Sequence, residues 1–166
     1  MVPFTFNHQL ARAKFTAVNN FSQESGIQIA VTDIAITNAD KNGTLTIGNE
    51  ANIWAPADTY TQAYNNLAKF EPTKSSATDF ALVLPATAKN LNIAFTVSIY
   101  NGDVLVKTKK HTLTDVTVEL KNGYSYNFVM SLNEENAVDE LKPITFTVDS
   151  VNGWTDAEYV YPNPQE

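Results

Sequence analysis

The sequence predicts an all-β fold, an antiparallel β-sandwich of Greek-key type, on three observations. Apolar and polar residues alternate over short runs, most cleanly at Leu91, Ile93, Phe95, Val97 and Ile99, the period-2 signature of a strand with one buried face. The dipeptide Asn-Gly, which accepts the positive φ values of tight hairpin turns, occurs at Asn42-Gly43, Asn101-Gly102, Asn122-Gly123 and Asn152-Gly153. Turn signals recur about every ten residues, with little helical periodicity and no repeat. A chain of 166 residues fits one domain, placed at 1–154, which buries roughly two thirds of its unfolded surface without crosslinks; residues 155–166 form a tail.

In chain order, Ala13, Phe15 and Ala17 make one face of an early strand. Ile27, Ile29 and Val31 sit at odd positions and Ile34 and Ile36 at even ones, so the buried phase slips near Thr32-Asp33; a β-bulge restores the facing. Asn38 to Gly43 reads as a hairpin turn joining Ile34–Thr37 to Thr44–Ile47. The stretch 49–78 holds Pro56 and Pro72, keeps no period and reads as an irregular excursion with a helical turn at Tyr60 to Leu67. Phe80, Leu82 and Leu84 form a strand stopped by Pro85. The strand from Leu91 turns at Asn101-Gly102, in a type I′ turn, so that Val104 to Lys107 runs back antiparallel. Val116, Val118 and Leu120, then Tyr124, Tyr126, Phe128, Met130 and Leu132, read as two adjacent strands. An acidic loop with Glu134, Glu135, Asp139 and Glu140 precedes the last strand, Ile144, Phe146 and Val148, and a Gly turn then delivers Trp154. The expected core holds Phe15, Ile29, Phe95, Val97, Phe128, Phe146 and Trp154.

Composition narrows the chemistry. With no Cys, thiol catalysis and Cys-based zinc sites are excluded. Lys+Arg 11 against Asp+Glu 18 gives a net charge of -7, which repels a phosphate backbone, so no nucleic acid partner is expected. The one basic cluster, Lys107, Lys109 and Lys110, reads as a solubilising or edge-blunting device, Lys107 and Lys109 sharing one strand face. No apolar run reaches the roughly 20 residues that cross a bilayer as a helix, and Met1 to Leu10 lack a signal-peptide core.

No G-x-S-x-G, Walker loop, dinucleotide fingerprint or H-E-x-x-H occurs, and His8 and His111 stand apart in sequence, so neither enzyme activity nor a cofactor or metal is expected. Asn38, Asp40 and Asn42 with Gly43 imitate the start of a calcium loop. The closing carboxylate is missing, because position 12 of such a loop falls on Asn49, and the hairpin reading is preferred. Trp54, Tyr60 and Tyr64 offer flat rings that either stack on a sugar or staple the excursion to its own domain. The tail segment Tyr159, Val160 and Tyr161 precedes Pro162 and Pro164, which bar it from a central strand and leave it as an edge strand or a segment free to pair outside its domain.

The opening run PFTFNHQLARAKFTAV, the apolar strand Phe80-Ala81-Leu82-Val83-Leu84-Pro85, the segment Gly123-Tyr124-Ser125-Tyr126 and the closing strand followed by Trp154-Thr155 resemble the fimbrillin-like proteins of Bacteroidetes, surface pilus subunits and their relatives. The resemblance implies a transthyretin-like β-sandwich, an extracellular location on the cell surface or fimbrium in association with the outer membrane, and other fimbrial subunits as partners by β-strand addition. Host or microbial surface ligands are further implied partners. Membrane attachment is implied only through a lipid anchor upstream of this chain, which carries no Cys. The chain thus resembles the C-terminal domain of a two-domain subunit or a single-domain relative. The reading is a non-enzymatic fimbrial subunit or adhesin-like module, with Tyr159, Val160 and Tyr161 as the assembly strand. The alternative is a glycan-binding module of an exported saccharide-uptake protein, with Trp54, Tyr60 and Tyr64 as its platform.

Overall fold

The computed structural model describes residues 8–48, 52–137, 144 and 146–152. They form ten strands in two sheets that pack face to face. The first sheet holds β1 (Ala11–Asn19), β5 (Ser75–Ala77), β6 (Ala81–Val83), β9 (Tyr124–Leu132) and β10 (Phe146–Asn152), in the order β10-β9-β1-β5 with β6 also on β1. The second holds β2 (Ile27–Ile47), β3 (Asn52–Ala63), β4 (Leu67–Phe70), β7 (Ala86–Asn101) and β8 (Val104–Leu120), in the order β3-β2-β7-β8 with β4 also on β2. This is an all-β sandwich. One of its pairings, β1 with β9, is parallel, where an antiparallel sandwich was expected; the rest are antiparallel.

The period-2 pattern dictates the core. Leu91, Ile93, Phe95, Val97 and Ile99 are buried, and so are Phe15, Ile29 and Phe128, whereas Phe146 is half-buried. Trp154 lies outside the described residues. Phe15 stacks on Phe128 (5.1 Å, 22°), and Phe146 meets Phe15, Phe95 and Phe128 edge-on, so one aromatic cluster joins the two sheets. Thr78 bridges the gap between β5 and β6: its N–H donates to Phe15 O (2.8 Å) and its hydroxyl accepts from Phe15 N–H (3.0 Å), keeping the edge of β1 paired where the ladder is interrupted. Asn19, fully buried, donates its amide to the carbonyls of Ile27 and Phe70 (2.9 and 3.2 Å) and so closes one flank of the sandwich.

The phase slip near Thr32-Asp33 is a bulge: the β2–β7 register shifts between Thr32 and Ala35, and Asp33 takes φ 54. Four other sequence expectations are corrected. Asn38 to Gly43 is no hairpin turn, because β2 runs unbroken from Ile27 to Ile47. The stretch 49–78 is not irregular where it is described, and Tyr60 to Leu67 holds no helical turn; β3, β4 and β5 occupy it. Residues 53–59 of β3 are exposed at all but Trp54, so no apolar period marks them, and Pro56 is tolerated because β3 is an edge strand. The β7–β8 turn is Gly102-Asp103 rather than Asn101-Gly102, with Asn101 paired to Val104 and the positive φ (59) at Gly102 alone, which is the type II′ pattern. Finally, β8 and β9, though joined by only three residues, lie in different sheets.

Candidate assembly surfaces

Pairing between β2 and β7 ends at Ile36 and Ile93; beyond it β7 keeps β8 as its partner to Ala86 and β2 keeps β3 to Ile47, so Ala39–Ile47 and Asn52–Tyr60 form a two-stranded ribbon that parts from the β7–β8 pair. Side chains clamp its root. The Asn38 amide donates to Asn90 O (2.9 Å) and its carbonyl accepts from Asn92 N–H (2.8 Å), replacing the ladder bonds that the β2–β7 pair loses there. Lys89 pairs with Asp40, whose side chain is only 7% exposed, and this engages the one carboxylate of the calcium-like sequence. Gly43 lies against β3 so closely that a Cβ would stand 2.6 Å from Ala55 O. Trp54 donates its indole N–H to Gln9 O (2.8 Å). At the ribbon's end Ile47 and Ile53 are 79% and 64% exposed.

The opposite end of the same sheet is the β7–β8 hairpin, since Asn101 pairs with Ile27 at the start of β2. Its tip exposes Val104 (68%), Leu105 and Val106. Lys69 holds Asp103 at 2.8 Å and keeps that carboxyl below its usual range. Further along β8, Lys109 pairs with Val97 and Lys107 with Ile99, both core-facing positions, so the lysines stand on the inner face of an edge strand. Inward charge on an edge opposes addition of a further strand. His111 stacks on Phe95 (5.2 Å, 17°) with Nε2 3.2 Å from Ala137 O, the place of a structural histidine.

The three aromatic candidates do not share one exposed platform. Tyr60 and Tyr64 pack against the core, Tyr64 meeting Phe15 edge-on at 4.8 Å, and Trp54 is half-buried. Among the described residues the Tyr64 hydroxyl has no hydrogen-bond partner, and burial first, then Tyr60, pushes its ionisation well above the ordinary range. Tyr159, Val160 and Tyr161 lie outside the described residues. Among the described residues no three metal-ligating side chains converge, and no helix is long and apolar enough to cross a membrane. The ribbon with Ile47 and Ile53 escaped the sequence reading. Its signal was two isoleucines in a Gly-, Asn- and Thr-rich stretch that offers them no core-facing period.

Residues 1–154 match the family model described as fimbrillin-like. No curated protein sequence matches the chain. Among solved structures, a fimbrial protein from Bacteroides vulgatus ATCC 8482 is similar at 15% identity and a TM-score of 0.56, over 90% of this chain and 55% of its own. A proposed cell adhesion protein from Bacteroides uniformis ATCC 8492 (16%, TM-score 0.48) covers 93% of this chain and 54% of its own. A further one from Parabacteroides distasonis ATCC 8503 (13%, TM-score 0.49) covers 91% and 54%. The chain therefore spans about half the length of these solved relatives, and the first of them supports the sandwich fold.

Proposed function

The chain belongs to the fimbrillin-like family, and from that premise we propose that it is a non-enzymatic subunit or adhesin-like module of a cell-surface fimbria, joined to other subunits by strand pairing. The observation that carries the reading is the family match over residues 1–154. The fold supports it: two sheets with several edges and a core given to packing. Its place is the outer surface, in association with the outer membrane, and its partners are other fimbrial subunits, with host or microbial surface ligands beyond them.

For the donated strand we propose the tail around Tyr159, Val160 and Tyr161. It follows the last strand of the sandwich, and Pro162 and Pro164 make it unfit for a central position in its own sheet. Ladder hydrogen bonds to a neighbour's edge supply affinity, and the alternate tyrosines set register. The lysine-guarded inner face of β8 argues that the receiving edge lies elsewhere. A glycan platform of Trp54, Tyr60 and Tyr64 is the weaker reading, since two of its rings serve the core. Deleting Glu158 to Glu166 tests the tail: the domain should fold as before while polymer yield falls in cells making the complete subunit. Normal polymer yield from the truncated subunit, or a domain that no longer folds, rules the tail out as the donor.

A further inference from the structure

We propose that Asn101-Gly102, at the turn between β7 and β8, is a self-modifying site where Asn101 converts to aspartyl and isoaspartyl residues, and that the fold favours this turn over the other Asn-Gly pairs it describes. The proposal is independent of the assembly reading above.

Asn-Gly suits this reaction because glycine puts no Cβ beside the amide nitrogen that must attack. The Gly102 nitrogen loses its proton to solvent base and bonds to Asn101 Cγ, ammonia leaves, and a five-membered imide forms. Water then opens the ring. Cleavage at the side-chain carbonyl gives aspartate; cleavage at the main-chain carbonyl gives isoaspartate, with the chain rerouted through the side chain. The net exchange is one water taken up and one ammonia released, so solvent is the only co-reactant.

The chemistry requires an amide nitrogen that no acceptor holds and a backbone with room to rotate. Asn101-Gly102 meets both conditions. The two residues are exposed, and neither the Asn101 side-chain amide nor the Gly102 N–H has a hydrogen-bond partner among the described residues. The ladder closes on Asn101 and Val104, which leaves the Gly102 N–H outside it. A Cβ at Gly102 would meet nothing within 4 Å, so the turn can swing. Asn101 is also the terminal pair of both the β2–β7 and the β7–β8 ladders, where pairing opens first.

The other pairs differ. Gly43 lies inside the β2–β3 ladder opposite Pro56, with Ala55 O 2.6 Å from the place of a Cβ, so the Asn42-Gly43 peptide has no room to rotate. At Asn122-Gly123 the nucleophile is tied, because Gly123 N–H donates to Leu10 O (3.0 Å). Asn152-Gly153 lies outside the described residues. Conversion changes one end of the second sheet: a carboxylate replaces an amide next to Asp103, whose partner Lys69 also lies 3.4 Å from Gly102 O. Isoaspartate adds a carbon to the main chain of a two-residue turn, and the Asn101–Val104 and Ile27–Asn101 pairings depend on that length, so the turn loosens.

The test is to age the purified protein at pH 9, folded and in urea, and to map its peptides by mass spectrometry, with an isoaspartyl methyltransferase marking isoaspartate. In the folded protein Asn101 should convert several-fold faster than Asn42 and Asn122, and in urea the three rates should converge. Asn101→Gln should abolish the modification of this turn. Hydrogen exchange should quicken at Asp103 to Val106 in the isoaspartyl protein and stay native in Asn101→Asp, which adds the charge without lengthening the chain. Conversion of Asn101 no faster than of Asn42 or Asn122 in the folded protein, or the same ranking persisting in urea, would overturn the assignment of this turn. Native exchange at the tip of the isoaspartyl protein would overturn its loosening.

Discussion

Replacing Tyr64 with Phe should stabilise this protein, which is unusual for a change in a half-buried ring. The ring packs edge-on against Phe15 at 4.8 Å, and Phe retains that contact. What is lost is a buried hydroxyl with no partner among the described residues, whose desolvation costs about 1–3 kcal/mol. We expect a gain of about 1–2 kcal/mol at pH 7, or about 2–8 °C in Tm at the slope for a domain of this size. The pH dependence supplies a second readout. Burial raises the ionisation of Tyr64 in the folded state above the ordinary phenol value of about 10. Below that value both states hold the proton. Above it the unfolded chain releases the proton while the native state keeps it, so native stability falls as pH rises past about 10. Other tyrosines contribute to both proteins and cancel in the comparison. Urea melts of both at pH 7 and pH 11 should therefore show the advantage of Tyr64→Phe widening in alkali. A variant less stable by about 1 kcal/mol at pH 7, or a constant gap between the two pH values, would refute the reasoning and place a strong partner on the hydroxyl.

Three further outcomes follow from the same structure. Phe128→Ala should cost about 3–5 kcal/mol in urea unfolding, because a fully buried ring leaves a cavity against Phe15; Phe146→Ala, at a half-buried position, should cost less. Gly43→Ala drives a Cβ into the Ala55 backbone, so hydrogen exchange should quicken across the β2–β3 ribbon and stay unchanged in β9. Calorimetry with millimolar calcium should show no tight binding at Asn38 to Gly43, since Asp40 is engaged by Lys89; micromolar affinity lost in Asp40→Ala would contradict this.

What was legible in the sequence was whatever one-sided burial writes into it. Leu91 to Ile99 and Tyr124 to Leu132 announce their buried faces, and the slip between Val31 and Ile34 announces the bulge at Asp33, because a change of phase has few other causes. The ribbon was illegible for the converse reason: a strand with solvent on both faces needs no period, so β3 read as irregular. Asn38 to Gly43 looked like a turn because the device that lets β2 continue, the Asn38 amide replacing ladder bonds to Asn90 and Asn92, depends on residues more than fifty positions away. The assignment of β8 and β9 to different sheets is likewise tertiary, since periodicity gives facing but never a strand's neighbours. Of the candidate sites, Tyr60 and Tyr64 carried the same ring signal whether destined for a ligand or for the core, and only packing separates the two.

The most direct test of the account is to shear fibres from the surface of cells expressing the complete protein and to solve their structure by electron cryomicroscopy. The account predicts that this chain repeats along the fibre, each copy completing a sheet edge of its neighbour with a donated strand. Fibres that lack the chain, or a chain recovered from the surface fraction only as a monomer with no strand shared between copies, would contradict it.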